Sequence, residues 1–392
     1  MIQITFTRMD PVIMTDEVAG MIGQPLWFPD YLGRGLVTHL METAPDKLCY
    51  VEIEDVINPP RYDGHPLTNN DGYFVMRQGG AGDWLMIAPA LKKLKEMYGC
   101  RIVASSSPRF KPIIDLMPYV DSWIVPPITP EMQEGITTWT TFEKAIEAPT
   151  HDAHTLNGID LFSKLCCVNL EDSEKIPSIR IPRVSNDRVS AFIKKCARRK
   201  KIVTIQYKTS NINRTPPMMN EVIARLAEHG KVHVMIVGGT HSVRDKETGK
   251  PIIGEDGRIK TAPDCDVVFL KGGVNGKAHP NISNLCGMLQ WKDTAALIAQ
   301  SDLVVSGDSA AIHLSAATDT PCLGLYGPFP GDLRARYYPK CMTIESTYEC
   351  APCFAHGRKP CSRFEKSTNS APCWSTMSAE EIADTALKML GV

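Results

Sequence analysis

Residues 302–327 read DLVVSGDSAAIHLSAATDTPCLGLYG, and the reading of the fold starts from them. A short apolar run, Leu303-Val304-Val305, stops at Ser306-Gly307-Asp308, and a helical pattern of small and apolar residues begins at once. Asp308 and Ser309 are both N-cap types, whose side-chain oxygens accept amide hydrogens of a first turn. The pattern over 310–317 closes near Pro321, and a second apolar run, 322–326, ends at Gly327-Pro328. The expectation is a strand, a tight turn, a helix and a strand, with the helix starting at the carboxyl edge of a parallel sheet. Such a helix start carries about half a positive charge and free amide donors, so it suits a phosphate. His313 stands one turn into the helix, within reach of the same anion. In the plainer reading Asp308 only caps the helix and His313 only packs.

The same alternation extends in both directions. Upstream, 202–205 reads as a strand, 206–214 as a polar loop, and a helix opens near Pro216-Pro217. Lys208 and Arg214 in that loop stand where a ligand at the strand's carboxyl end would meet them, or else are exposed loop charges. A strand at 232–237 follows, then a polar surface insertion over 240–263, another strand at 266–270 and a helix at 291–300. The string 272–277, GGVNGK, imitates a phosphate loop with the wrong spacing. Further upstream, 73–76 is a strand, and Arg77-Gln78-Gly79-Gly80-Ala81-Gly82-Asp83 leads into a helix through about Met97. Ile87, Leu91 and Leu94 recur at helical spacing there, and Pro89 predicts a bend or a late start. Gly80 and Gly82 let a ligand approach the backbone, and Asp83 stands at the helix start, either facing that ligand or simply capping. Strands at 102–105 and 123–125, around a helix at 108–117, complete the first set. The fold class is therefore α/β, with two Rossmann-like doubly wound halves, 71–195 and 200–345, facing a cleft. Residues 1–70, mixed short runs broken by prolines, fit either a small module or an extension packed on the next domain.

The stretch 127–190 reads as loop-rich, and its Cys166-Cys167 pair makes poor chelating geometry for a metal. The basic run 194–201 reads as a solvated helix end and interdomain linker. At 392 residues the length implies two or three domains, and 43% hydrophobic with 22% charged residues is ordinary for a globular protein. The net charge of −1 argues against nucleic acid or an anionic membrane as the main partner. Neither a signal peptide nor an apolar run of about 20 residues is visible, so a cytoplasmic location without a transmembrane segment is expected.

Thirteen cysteines are present, and Cys100, Cys286 and Cys322 sit singly in apolar runs as small buried hydrophobes. Cys350, Cys353, Cys361 and Cys373 differ, because a C-x-x-C knuckle followed by two more cysteines is the pattern of a four-thiolate site. The segment 346–376 has little apolar material and needs such a staple to fold, with disulfides as the alternative. With all four ligands from protein, the metal would be structural, and thiolate count does not separate iron from zinc. A C-terminal helix is expected over 377–392.

Two stretches carry a family resemblance. Residues 74–99, FVMRQGGAGDWLMIAPALKKLKEMYG, resemble the opening strand, glycine-rich turn and Gly-Asp helix of glycosyltransferase family 9, the ADP-heptose heptosyltransferases. Residues 284–328 resemble that family's second hallmark, an Asp-Ser/Thr-Gly-x-x-His turn before a small-residue helix, with Ala310 where the family more often has glycine. The resemblance implies a GT-B architecture and inverting transfer of a sugar from a nucleotide donor, ADP-heptose being favoured. The tail is similar to the iron-binding finger of the autotransporter heptosyltransferase branch, which also has an extra N-terminal module. On this resemblance Asp83 is the general base, and Lys208 or the competing Arg214 neutralises the diphosphate. Asp308, the amides of Ser309 and Ala310, and His313 cradle it. No catalytic metal is expected, because no Asp-x-Asp motif stands in either hallmark. The acceptor stays open between a glycan such as a lipopolysaccharide core sugar, a protein hydroxyl and a small molecule, and the sequence does not decide whether the chain forms a homo-oligomer. An epimerase of the same fold or a non-catalytic nucleotide-sugar-binding protein would use the same features. A nicotinamide dehydrogenase is disfavoured, since neither half has the dinucleotide fingerprint.

Overall fold

The structure is a computed structural model and describes residues 1–8, 24–43, 50–54, 59–197, 199–243, 251–253, 259–265, 279–355, 360–365 and 370–392. The chain divides into two compact units. The first comprises Met1–Ala148 with Ile159–Glu171, and the second Pro149–Gly158 with Asp172–Val392.

In the first unit, β1 (Ile2–Arg8), β2 (Pro25–Phe28) and β3 (Tyr50–Glu54) form an antiparallel sheet in the order β2-β1-β3. A parallel sheet follows from β4 (Gly72–Met76), β5 (Arg101–Ser105), β6 (Ser122–Ile124) and β7 (Thr138–Thr141), in the order β6-β5-β4-β7. Every residue of the central β4 is buried, as expected of a strand covered on both faces. Trp27 from β2 joins Phe74, Met76, Val103, Ile128 and Ile136 in one core cluster, so β2 packs as an extension on the parallel sheet. Helix Ala81–Tyr98 buries Trp84, Leu85, Ile87, Leu91 and Leu94 along one side and ends at Gly99, whose φ of +65° needs no Cβ. It runs unbroken through Pro89, so the expected late start does not occur. The helix expected at 108–117 is reduced to a 3-10 turn at Pro108–Phe110 and a single turn at Lys111–Ile114, because Pro112 has no N–H to bond the Pro108 carbonyl and disfavours helix in the residue before it.

The second unit holds a six-stranded parallel sheet. Its strands are β8 (Lys201–Gln206), β9 (Val232–Val237), β12 (Ile282–Asn284), β13 (Leu303–Gly307), β14 (Cys322–Tyr326) and β15 (Cys341–Glu345), ordered β12-β9-β8-β13-β14-β15. A separate antiparallel pair, β10 (Thr240–Ser242) with β11 (Thr261–Pro263), stands in the expected surface insertion. Alternate strand residues serve opposite faces. Val203, Ile205, Val234 and Ile236 pack with helix Met219–Glu228 and helix Ala379–Leu390 on one side. Ile202, Met235 and Val237 pack with helix Arg183–Cys196 and helix Trp291–Ala299 on the other.

Several boundaries differ from the sequence expectation. Helix Arg183–Cys196 belongs to the second unit, not to a half ending at 195, because its Val189 joins that sheet's core. The basic run at its end is thus internal to the second unit rather than an interdomain linker, and the division of the chain falls after Glu171. The stretch 127–190 is less loop-rich than expected: it contains β7 and helix Gly158–Leu165, whose Phe162 packs edge-on against Phe142. The strand expected at 266–270 and the string at 272–277 lie outside the described residues.

Candidate active site

Within the first unit, β4 delivers Arg77, and the glycine turn delivers Asp83 in the first turn of helix Ala81–Tyr98. Gly80 is the N-cap with no side-chain hydrogen bond, and Gly82 is the second helical residue. Arg77 is buried. Its Nε and Nη2 donate to Asp83 Oδ2 at 3.0 and 2.5 Å. Nη1 and Nη2 donate to Glu147 at 3.2 and 2.5 Å, and Nη1 donates also to the Phe142 carbonyl at 2.8 Å. A Cβ at Gly79 would stand about 2.5 Å from the Arg77 guanidinium, so a larger residue there would have to displace it. The Gln78 amide donates to Glu143, and burial pushes the Glu143 carboxyl up despite that bond and the nearby Arg77. Arg77 thus engages Asp83 through one carboxylate oxygen, Oδ2, in the first turn of a helix. Sequence reading missed Arg77; the available signal was an arginine directly after a wholly apolar strand and six residues before Asp83.

Within the second unit, β13 ends at Gly307 and helix Ala310–Ala317 follows. Ser309 is the N-cap, its Oγ accepting the Ala311 amide hydrogen at 3.2 Å and sharing a 2.7 Å hydrogen bond with Ser306. Ala310 is the first helical residue. Asp308 does not cap. Its carboxylate is 6% exposed and meets Arg214 Nη1 at 3.1 Å and Arg334 Nε at 3.7 Å. Burial alone would raise the Asp308 carboxyl, yet Arg214 and Arg334, with a smaller part from His313, hold it below its ordinary value. Two cations around one buried carboxylate leave a net positive charge at the helix start. Among the described residues, no hydrogen-bond partner reaches the buried Arg214 Nε.

Of the two competing cations, Arg214 pairs with Asp308, while the Lys208 ammonium lies 5.8 Å from the Tyr207 ring centroid. His313 is buried, and its Nδ1 shares a 2.7 Å hydrogen bond with the Tyr338 hydroxyl. Arg334 escaped the sequence reading because Asp332-Leu333-Arg334-Ala335-Arg336 looks like a surface turn of mixed charge. In fact Arg334 is buried, its guanidinium 5.2 Å from the Phe329 ring centroid.

Cys350, Cys353, Cys361 and Cys373 are free thiols in the second unit. Burial first, then the nearby Cys353, Cys350 and Cys361, push the Cys373 thiol up to about 12. Among the described residues, no group of three or more His, Cys, Asp or Glu side chains is arranged to hold a metal ion. No helix among the described residues is long and apolar enough to cross a membrane.

Each parallel-sheet unit thus carries its own polar group, a carboxylate at a glycine turn in the first and two arginines at a strand–helix turn in the second. Residues 269–361 match the family model of glycosyltransferase family 9 (heptosyltransferase). The chain is 33% identical over 76 residues to the lipopolysaccharide core heptosyltransferase OpsX of Haemophilus influenzae, a match spanning 19% of this chain and 22% of that protein. Among solved structures, a family 9 glycosyltransferase from Veillonella parvula is similar with a TM-score of 0.57 at 15% identity, covering 82% of this chain and 98% of that one. The ADP-heptose lipopolysaccharide heptosyltransferase II of E. coli gives 0.54 at 14%, covering 81% and 98%. The iron-containing dodecameric glycosyltransferase TibC of enterotoxigenic E. coli gives 0.55 at 15%, covering 88% and 83%. At these identities the likeness establishes the fold, which is α/β and GT-B-like.

Proposed function

We propose that this chain is an inverting glycosyltransferase that moves a sugar, heptose from ADP-heptose being the favoured donor, to an acceptor hydroxyl on a glycan or protein. The observation that carries the reading is the Arg214–Asp308–Arg334 group at the start of helix Ala310–Ala317. A departing diphosphate gains negative charge in the transition state, and preorganised cations there are worth about 3 kcal/mol each. Arg214 and Arg334 supply the charge, Asp308 holds them in place, and the amides of the first helical turn supply donors. Lys208 is a secondary cation for the same anion. His313, tied to Tyr338, supports the turn. Asp83 takes the acceptor proton as the glycosidic bond forms, with Arg77 fixing its carboxylate. The neighbour TibC has been solved in complex with ADP-D-beta-D-heptose, which favours the same donor class here. That protein is described as iron-containing and dodecameric, and the reading extends to a structural iron or zinc and a homo-oligomer for this chain. Cys350, Cys353, Cys361 and Cys373 are free thiols with the sequence spacing of a four-thiolate site, a donor set that suits a thiophilic cation. Cys350, Cys353, Cys361 and Cys373 would hold that metal, which staples the segment and takes no part in transfer.

The test is ADP release and mass gain on an acceptor pool supplied with ADP-heptose, by wild type and by Asp83→Asn. Transfer by wild type, with loss of about 10²–10⁴-fold in Asp83→Asn and retained ADP binding, supports the assignment. Full activity in the variant removes Asp83 from the mechanism.

A further inference from the structure

The cysteine-rich segment touches both sides of the arginine pair. On the first side, the Cys361 amide donates to Asn213 Oδ1 at 2.8 Å, and the indole N–H of Trp374, next to Cys373, donates to the Asn213 carbonyl at 2.9 Å. Asn213 is buried and immediately precedes Arg214. On the second side, the amides of Cys353 and Phe354 both donate to the Pro328 carbonyl, at 3.1 and 2.9 Å. The Phe354 ring meets Phe329 edge-on at 6.1 Å between centroids, and Phe329 in turn lies against the Arg334 guanidinium. Gly327 lets these elements close up, since a Cβ there would stand 3.0 Å from both Cys373 Sγ and Trp374 Cζ2.

We propose that the cysteine-rich segment sets the spacing of Arg214 and Arg334 around Asp308, with Asn213 as the positioning residue on the Arg214 side. The inference rests on the reading that this arginine pair holds a diphosphate. Arg214 ends a 3-10 turn of three residues, Ile212–Arg214, too short to fix itself by its own backbone hydrogen bonds. Its internal support is the Asn211 side chain, which accepts the Asn213 amide hydrogen at 2.9 Å. The Thr209 and Thr215 hydroxyls also brace this loop by donating to the Asn211 carbonyl at 2.7 and 3.2 Å, and Cys361 and Trp374 add restraint from outside it. An arginine already held in its binding geometry loses less conformational freedom when an anion arrives, and affinity rises accordingly.

The experiment is calorimetric titration with ADP and with AMP on wild type, Asn213→Ala, Asn213→Asp, Trp374→Phe and Arg214→Ala, each checked for cooperative melting. Asn213→Ala deletes the acceptor for the Cys361 amide and is expected to weaken ADP about tenfold, with a smaller effect on AMP, so that the ADP-to-AMP preference shrinks. Asn213→Asp keeps an acceptor in place and restores the preference. Trp374→Phe removes a single donor and reduces the preference about threefold; it decides the matter if Asn213→Ala does not fold. A folded Asn213→Ala, or failing that Trp374→Phe, with an unchanged preference overturns the proposal, as does an equal loss for both nucleotides. If Arg214→Ala binds ADP like wild type, the diphosphate reading itself fails. Loss in Arg214→Ala without loss in the other variants removes the brace alone.

Discussion

Asp83 and Asp308 are both aspartates at the entry to a helix after a parallel strand, and their surroundings differ. Asp83 has one oxygen engaged by Arg77 and keeps a side chain 13% exposed. Asp308 is shut between Arg214 and Arg334. Removing one partner of such a buried pair leaves an uncompensated charge, at a cost of about 3–5 kcal/mol. Asp308→Asn is therefore expected to lower stability by that order at pH 7 in urea unfolding. The folded-state carboxyl of Asp308 lies below its ordinary value, so its contribution is present above about pH 3.9 and fades as pH falls through the lower folded value. The gap between wild type and Asp308→Asn should accordingly narrow at pH 3; an unchanged gap would show that the arginines do not hold the carboxylate. Arg77→Met strands Asp83 and Glu147 in the same way, and a loss of about 3–5 kcal/mol is expected in the same assay.

At the scale of elements, the meeting of β13 with the Arg214 loop depends on one missing side chain. A Cβ on Gly307 would stand 2.6 Å from the Arg214 carbonyl and 3.2 Å from Pro216 Cδ. Backbone cannot yield as a flexible side chain does. Gly307→Ala should therefore displace the loop, costing about 1–3 kcal/mol in stability and weakening ADP in calorimetry; wild-type affinity would show that the loop has slack. The strands and helices around this turn were legible because apolar runs of the right length alternate with helical periodicity between β8 and β14. The capping residue was legible only to within a pair: Asp308 and Ser309 are equal candidates by type, and a charge 26 residues downstream, Arg334, draws Asp308 away. Such long-range pairing leaves no local signal. The same holds for β7, whose Thr138-Trp139-Thr140-Thr141 is a strand because β4 lies beside it. Around Pro108 and Pro112, by contrast, the signal was present and the broken helix could have been read from it.

At the scale of the whole molecule, the four cysteines stand in a segment that contributes Cys373 and Trp374 to the core of the second unit. A metal held there would contribute folding energy directly. Elemental analysis should find about one iron or zinc per chain, and Cys361→Ser should lose it together with several degrees of melting temperature. Full metal content in that variant would remove Cys361 from the ligand set.

The interleaved order of the two units has a practical corollary for anyone wishing to dissect them. The backbone passes from one unit to the other after Ala148, returns after Gly158 and leaves again after Glu171. A fragment ending at 148 would forfeit Ile159 and Phe162, both fully inaccessible to solvent, and with Phe162 the ring stacked edge-on to Phe142. One ending at 171 would carry ten foreign residues, 149–158, including the helix His151–Thr155 whose His154 stacks on Phe354. No single scission frees both halves intact, so the second unit could be excised only by splicing 149–158 onto 172–392 through a synthetic bridge.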